Sequence, residues 1–507
     1  LAGNCRIWLS GGYASYVLPP MSYTAKLING SLRYRAIRAL QSILRFPPGS
    51  QNPSYTPKVE GDGVDAHKGS ATSRLRQYPF FLSLPALALP SQLDAAAINY
   101  LRDYSISSPK AIEDRAEMLG NYLWSRPLMT ESQIMGKDPR LGEGGLSIGS
   151  VGETEPELAE AIYSHNPSDL TRIRPGTLHE IKAESLEQWK SLTYTGHNCE
   201  LYLTARLAPN FSSTCRVLYE IRKRCPKFIP RNLFDFGSGL GTVTWAVNTV
   251  WPIGCVREHY MVEPSADMTR ISEFLLRKNP MLNTSETIFP GIYHRRFTPA
   301  RKQTYDLVVS AHSLLELPGK LARRRVISNL WNRTSGFLVL IEQGTRAGFA
   351  GILEARDWLL NEGGEEMKIF APCPHHALCG KRDTVCNISV KYYHFGLTRE
   401  KNEPLTEIIS YLIVSRGDWR KHQAPTVEAE SDYLPRLVSH QTGNGPNLTH
   451  DICLPDGSLE RVVFPKKETD KSLFFFLKHA HAGDLVPCEP LDSSKPVDLI
   501  ESDQAND

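Results

Sequence analysis

Leu233-Phe-Asp235-Phe-Gly237-Ser238-Gly239-Leu-Gly241 is the stretch on which the fold turns. A short apolar run at 233–236 meets three glycines at alternate positions, and 242–250 then continues with helical spacing. Strand, glycine loop and helix in that order let the backbone turn tightly and approach a nucleotide with no side chain in the way. A dinucleotide fingerprint requires glycine three residues after Gly239; Thr242 stands there, which disfavours a nicotinamide dinucleotide. Outward from the loop, apolar strands at 260–262, 305–310 and 337–341 alternate with helical patterns at 266–278, 320–331 and 347–361. That alternation predicts an α/β fold, a mostly parallel, doubly wound sheet over 226–366. Helical patterns at 92–103, 110–124, 155–163 and 178–189 predict a helical N-terminal domain over 61–225.

The D-x-G-x-G-x-G spacing resembles motif I of class I S-adenosylmethionine-dependent methyltransferases, whose ligand carries a cationic sulfonium and an amino acid. The resemblance implies a pocket formed by Asp235, Gly237, Ser238, Gly239 and Gly241. Glu263, in Tyr260-Met-Val-Glu263-Pro, stands where such proteins place the acid that holds the ribose hydroxyls. The loop Ala311-His312-Ser-Leu-Leu-Glu316-Leu-Pro318 occupies the edge where a substrate would enter. No catalytic motif is recognisable. Enzymes that methylate exocyclic base nitrogens carry Asn/Asp-Pro-Pro-Tyr/Phe after the fourth strand, whereas this chain has Ser310-Ala311-His312-Ser313. A base-carbon methyltransferase needs a cysteine nucleophile at that edge, and none stands there. His312 is a candidate general base without a second catalytic partner in sequence, so cofactor binding is kept apart from turnover.

Of ten cysteines, Cys373, Cys379 and Cys386 fall within 373–386 with C-x5-C-x6-C spacing. Structural zinc sites favour pairs two to four residues apart. Longer, irregular spacing suits an iron-sulfur cube, in which each iron takes one thiolate. Cys453, in Asp451-Ile-Cys453-Leu-Pro-Asp-Gly457, is the preferred fourth ligand and His375 its rival; zinc is the alternative metal. Either metal would staple a segment that lacks a core of its own. The iron-sulfur segment and its strands, at 408–415 and 461–464, are expected over 367–467, followed by a flexible tail at 468–507.

Composition bounds the rest. The 507 residues carry a net charge of +3 and 41% hydrophobic residues, ordinary for a soluble protein of several domains. No run of eighteen apolar residues suggests a membrane span. The first acidic residue is Glu60, while Arg6, Lys26, Arg33, Arg35, Arg38, Arg45 and Lys58 precede it. Segment 1–60 therefore reads as a mitochondrial transit peptide and linker, with a basic amphipathic helix over 21–45 and a plausible start at Met21. In the reducing matrix, clustered thiols serve as ligands rather than disulfides. The glycines of 142–152 have neither a preceding strand nor a following Lys-Ser/Thr and read as a plain loop.

Tyr202-Leu-Thr-Ala-Arg206-Leu, Arg216-Val-Leu-Tyr-Glu220-Ile, the glycine stretch through Trp245, Cys373-Pro-His375 and Cys453-Leu-Pro-Asp-Gly457 together resemble the mitochondrial methyltransferase-like protein 17 family, related to a yeast mitochondrial small-ribosomal-subunit protein, over about 80–467. The resemblance implies a [4Fe-4S] site on four cysteines, an S-adenosylmethionine pocket, and association with the mitochondrial small ribosomal subunit during its assembly, as mitochondrial translation requires. This chain departs from the family around Cys379-Gly and Val385-Cys386-Asn387-Ile. Basic runs at Arg216, Arg222, Lys223, Arg224, Lys227 and Arg231, at His294-Arg295-Arg296 before Arg301-Lys302, and at Arg323-Arg324-Arg325 fit a ribosomal RNA partner. The alternative is an active ribosomal RNA methyltransferase. No membrane association and no homo-oligomer is expected.

Overall fold

The computed structural model describes residues 75–76, 80–128, 192–279, 286–300, 303–398, 403–423, 434–439, 445–469 and 471–486. The transit segment, the 142–152 loop, the helical patterns at 155–163 and 178–189, Arg301-Lys302 and the last residues lie outside them.

The glycine stretch opens the main sheet. Strand β1 (Asn232–Phe236) pairs in parallel with β2 (Glu258–Val262) and β4 (Tyr305–Ala311), β2 with β3 (Ile292–Arg295), and β4 with β5 (Thr334–Gln343). The order is β3-β2-β1-β4-β5-β8-β6, with β8 (Leu405–Arg416) antiparallel to β5 and β6 (Met367–Ala371). Strand order reverses between β1 and β4, the switch point at which doubly wound sheets hold ligands beyond their carboxyl ends. This is a class I methyltransferase-like sheet: β1 to β6 all run parallel, and β8 is inserted antiparallel between β5 and β6.

Helices α3 (His197–Arg224), α4 (Thr242–Val250) and α5 (Ala266–Leu275) cover one face, and α6 (Lys320–Asn332) and α7 (Arg346–Glu362) the other. Their apolar stripes bury Leu203, Phe211, Trp245 and Ile271 on the first face and Ile327, Trp331, Ile352 and Leu359 on the second. α1 (Ser91–Tyr104) and α2 (Pro109–Ser125) precede them, and Leu93, Ala97 and Leu101 of α1 enter the same apolar core as the sheet.

Beyond β6 the chain builds what the site needs. Long β8 is shared along one edge: β6 pairs with its second half, ending at Ala371 opposite Ile413, and β7 (Ile388–Tyr392) with its first half, starting opposite Ile409. The cysteine segment, 372–387, leaves and returns at neighbouring points of one strand. A second sheet, β9 (Arg436–Leu437), β10 (Asn447–Cys453) and β11 (Leu459–Pro465), packs with α8 (Lys471–His479) around Phe464, Leu473, Phe476 and Leu477. The expected flexible tail from 468 is thus corrected: through 486 it is folded, because Leu473, Phe476 and Leu477 recur on one helical face. Asp484 fastens it by accepting from the backbone N–H of Leu82 at 2.7 Å and of Ser83 at 3.0 Å.

Candidate functional site

The glycine loop has the conformation its residue type permits. Gly237, Gly239 and Gly241 have φ of 68°, 48° and 78°, a region side-chain-bearing residues avoid. Glu263, at the end of β2, clamps the loop: its Oε2 accepts from Gly239 N at 2.9 Å and its Oε1 from Ser265 N at 2.9 Å. Asp235 is fully buried with neither carboxyl oxygen partnered, and Ser238 Oγ is equally unpartnered. Burial, then the neighbouring Glu263, pushes Asp235 well above the usual carboxylate range; burial brings Glu263 to about 7. A fully buried carboxyl group with no hydrogen-bond partner is costly. A ligand presenting a sulfonium, an ammonium and ribose hydroxyls supplies what these atoms lack, so the donor set fits S-adenosylmethionine.

The acceptor side is different. His312 follows β4 with φ 58°, the one positive value among described non-glycine residues, a strain of roughly 1–3 kcal/mol. It is buried, both ring nitrogens lack partners, and burial, Arg206 and Arg126 push its pKa well below the ordinary value. An imidazole so depressed is a weak base. The mouth beyond β4 and β5 is lined by Leu123, Arg126, Tyr202, Arg206, Glu316 and Gln343 around a cavity of about 10 Å³, room for about one water. Arg126 closes it: its Nη1 lies 2.5 Å from Glu316 Oε1, which also accepts from Tyr194 OH at 2.8 Å.

Cys453 of β10 lies within electrostatic reach of Cys373, Cys379 and Cys386. Burial pushes Cys453 up to about 12, and Cys373, Cys386 and Cys379 add to the rise. Cys386 also reaches about 12, from burial and then from Cys373 and Cys379. These thiols lie near enough to act on one another's charge. His375 is there too, its Nε2 3.3 Å from Cys453 Sγ. Strand β10 delivers Cys453, and Gly457 in the following turn holds the hairpin against the cysteine segment: at φ 92°, a Cβ there would stand 2.7 Å from that of Ala377. Lys381 Nζ donates to Val438 O at 2.9 Å on the same seam.

Two buried arginines that sequence reasoning missed flank the thiols. Arg356 of α7 donates through Nη2 to Ala377 O at 2.7 Å, while its Nε and Nη1 have no hydrogen-bond partner. Against the upward push of burial, Arg356 draws the Cys373 pKa down. Arg436 of β9 likewise lowers Cys453 and Cys386 against burial. Arg436 has the Glu220 carboxylate at 2.6 Å, whereas the two unpartnered nitrogens of buried Arg356 favour a nearby anion. Among the described residues no three His, Cys, Asp or Glu side chains stand as ligands of one metal ion. A zinc ion draws its donors to roughly 2.0–2.3 Å, whereas a four-iron cube gives each thiolate its own iron and a wider shell. A zinc ion and a [4Fe-4S] cluster both take four thiolates, so the donor set suits either.

The expected basic run at the end of α3 is corrected. Arg216 and Arg224 are buried against Glu220, and Lys223 Nζ donates to the carbonyls of Arg76 at 3.0 Å and Phe81 at 2.5 Å. Burial lowers Lys223 to about 7. Arg323 is buried beside Glu354 at 3.0 Å. These cations serve the interior, leaving Lys227, Arg231, Arg295, Arg296, Arg324 and Arg325 exposed.

Sheet order and pocket define a methyltransferase-like α/β protein. The chain belongs to the mitochondrial small ribosomal subunit Rsm22 family, whose sequence model matches residues 197–487. It is 33% identical over 468 residues to the human ribosome assembly protein METTL17, mitochondrial, a likeness covering 89% of this chain and 95% of that protein. It is 24% identical over 307 residues to the Rsm22-cox11 tandem protein 2, mitochondrial, of Schizosaccharomyces pombe, covering 53% of this chain and 40% of the tandem protein. Among solved structures it is similar to the magnesium protoporphyrin IX methyltransferase of Synechocystis with bound SAM, at TM-score 0.27 and 12% identity over 48% of this chain and 92% of the enzyme. It is also similar to the precorrin-6y C5,15-methyltransferase of Geobacter metallireducens, at TM-score 0.23 and 14% identity over 37% and 80%. Scores so low carry no argument, and the fold rests on strand order and the glycine loop.

Proposed function

We propose that this chain is an assembly factor of the mitochondrial small ribosomal subunit, working in the mitochondrial matrix and binding ribosomal RNA, which holds S-adenosylmethionine and a [4Fe-4S] cluster as structural or sensing elements rather than for turnover. Family membership supports the ribosomal role. The observation that carries the division between binding and turnover is the contrast across the switch point. On one side Asp235 and Ser238 keep buried polar atoms without partners beside the glycine loop that Glu263 clamps; on the other, Arg126 and Glu316 pair across the acceptor mouth over a histidine too weakly basic to serve. In this reading Asp235, the loop N–H groups and Glu263 hold the cofactor, and Cys373, Cys379, Cys386 and Cys453 hold the cluster and pin the carboxy-terminal sheet to α7 and β8. The helices α1 and α2 belong to the helical N-terminal part, and Leu123 and Arg126 at the end of α2 line the mouth.

Mass spectrometry of small-subunit ribosomal RNA from depleted cells tests the division. An unchanged modification map with impaired subunit assembly is expected, and Gly239→Arg, which fills the pocket, impairs assembly in the same way. Loss of one defined methyl mark would establish the alternative, an active ribosomal RNA methyltransferase, which the intact cofactor side favours. The cluster is tested by colour: anaerobically purified protein should be brown and contain iron, and a colourless zinc protein would refute it.

A further inference from the structure

From β3 the chain reaches β4 through 296–304, nine residues of which none of the described ones is helical, although the other successive parallel strands of the sheet are joined through α4, α5, α6 and α7. Among the described residues, the face of β2 and β3 opposite α4 and α5 therefore carries no helix. Ile292 and His294 turn toward the helices, so alternation places Tyr293 and Arg295 on the bare face, beside Tyr260 of β2, the register partner of Tyr293. Tyr293 is 45% exposed and Phe297, just past the strand, 56%. Exposed guanidinium groups lie over these rings: Arg295 5.7 Å from Tyr293 and 5.8 Å from Tyr260, and Arg296 6.0 Å from Phe297. Glu258, at the start of β2, is the acid on this face, and Gln303 Nε2 lies 3.5 Å from its carboxylate.

Exposed aromatic rings interleaved with arginines on a bare sheet are costly in water and suit one partner chemistry. Unpaired bases stack on ring faces and guanidinium planes while phosphates meet the positive charge. We propose that the bare face of β2 and β3, through Tyr293, Arg295, Arg296 and Phe297, is a platform for single-stranded RNA. The proposal rests on the reading that the protein binds ribosomal RNA, and names where and in what form. A duplex keeps its bases stacked inside and cannot use the rings. A protein strand added to the edge of β3 would pair with backbone and depend little on these side chains.

The full-length protein is titrated by fluorescence anisotropy against an unstructured labelled RNA of about twelve nucleotides, within the usual single-strand site size, and against a duplex of equal length. Tyr293→Ala and Phe297→Ala should each weaken single-strand binding about ten-fold, the loss of one stacked base. Tyr293→Phe should restore it. Arg295→Gln with Arg296→Gln should lower the slope of log affinity against log salt by about 0.7 for each phosphate that is no longer neutralised. All four positions are exposed, and unchanged thermal midpoints verify that the variants fold. Wild-type affinity in both alanine variants would overturn the platform and leave RNA binding elsewhere on the chain. Equal losses on single strand and duplex would show charge without stacking and also overturn it. Failure of the unaltered chain to bind any RNA would overturn the underlying reading as well.

Discussion

Glu263 and Glu342 are the residues whose protons govern the pocket. Each is buried, and burial raises each from 4.5 to about 7 in the folded chain. Between about 4.5 and 7 the folded state then binds more protons than the unfolded one, so stability falls as pH rises through that window and stays low above it. The thermal midpoint should drop between pH 5 and 7.5, and the double variant Glu263→Gln, Glu342→Gln should show a shallower drop; equal slopes would sink the assignment. Arg356 is the other decisive residue. With Arg356→Met, the cluster proposed above loses a buried cation, its more negative reduced form is disfavoured, and a spectroscopically monitored redox titration should find a lower potential. An unchanged potential would mean that Arg356 serves packing alone. Asp235 and Glu263 stood out in the sequence because strand, glycine loop and acid lie close together in a fixed order. Arg356 and Arg436 were invisible because each meets the thiols only after the chain folds back, and nothing local distinguishes a buried arginine from a solvated one. The strain at His312 was equally silent, since backbone conformation is not written in residue type except at glycine.

At the scale of elements, the cysteine segment depends on the β10–β11 turn. Gly457→Val would introduce a branched side chain at φ 92° against Ala377, which costs about 2 kcal/mol or more. Limited proteolysis should then cut within 372–387 sooner than in the parent, while the glycine loop stays protected; an unchanged digestion pattern would refute the seam. Long periodic elements were legible: the helix at 242–250 was placed at its observed ends, and the core parallel strands lie where their apolar runs predicted. Short or mixed ones were not. β3 is four residues with alternating exposure, β7 carries a lysine and a serine on its outer face, and β9 is two residues long. Such strands exist because a neighbour supplies their hydrogen bonds, a tertiary cause that periodicity does not carry. α8 went unread because an acidic polar end followed it, although its own Leu473, Phe476 and Leu477 make an apolar face.

Across the whole molecule, one buried acid joins the parts. Glu220 of α3 is fully buried and receives Arg436 of β9 at 2.6 Å, Arg224 at 3.0 Å, Arg216 at 3.5 Å and the hydroxyl of Tyr411 of β8 at 2.9 Å. Burial alone would raise its pKa, but Arg436, Arg224 and Arg216 overcome that and hold it at about 2. Because this is below the unfolded value, its contribution is complete above about 4.5 and is lost as pH falls toward 2. The hub ties the first face of the main sheet to the carboxy-terminal sheet, and through Arg436 to the thiols, so cofactor pocket and cysteine site belong to one mechanical unit. Glu220→Gln removes the charge that three buried guanidinium groups share, and stranding buried charge in this way costs about 3–5 kcal/mol. Since Arg436 is the tie to the second sheet, that cost should fall first on the seam. Hydrogen exchange should speed up in β9, β10 and β11 while amides of β1 and β4 remain protected. Uniform acceleration across both sheets would instead show that Glu220 supports the α3 packing and carries no link between the two halves.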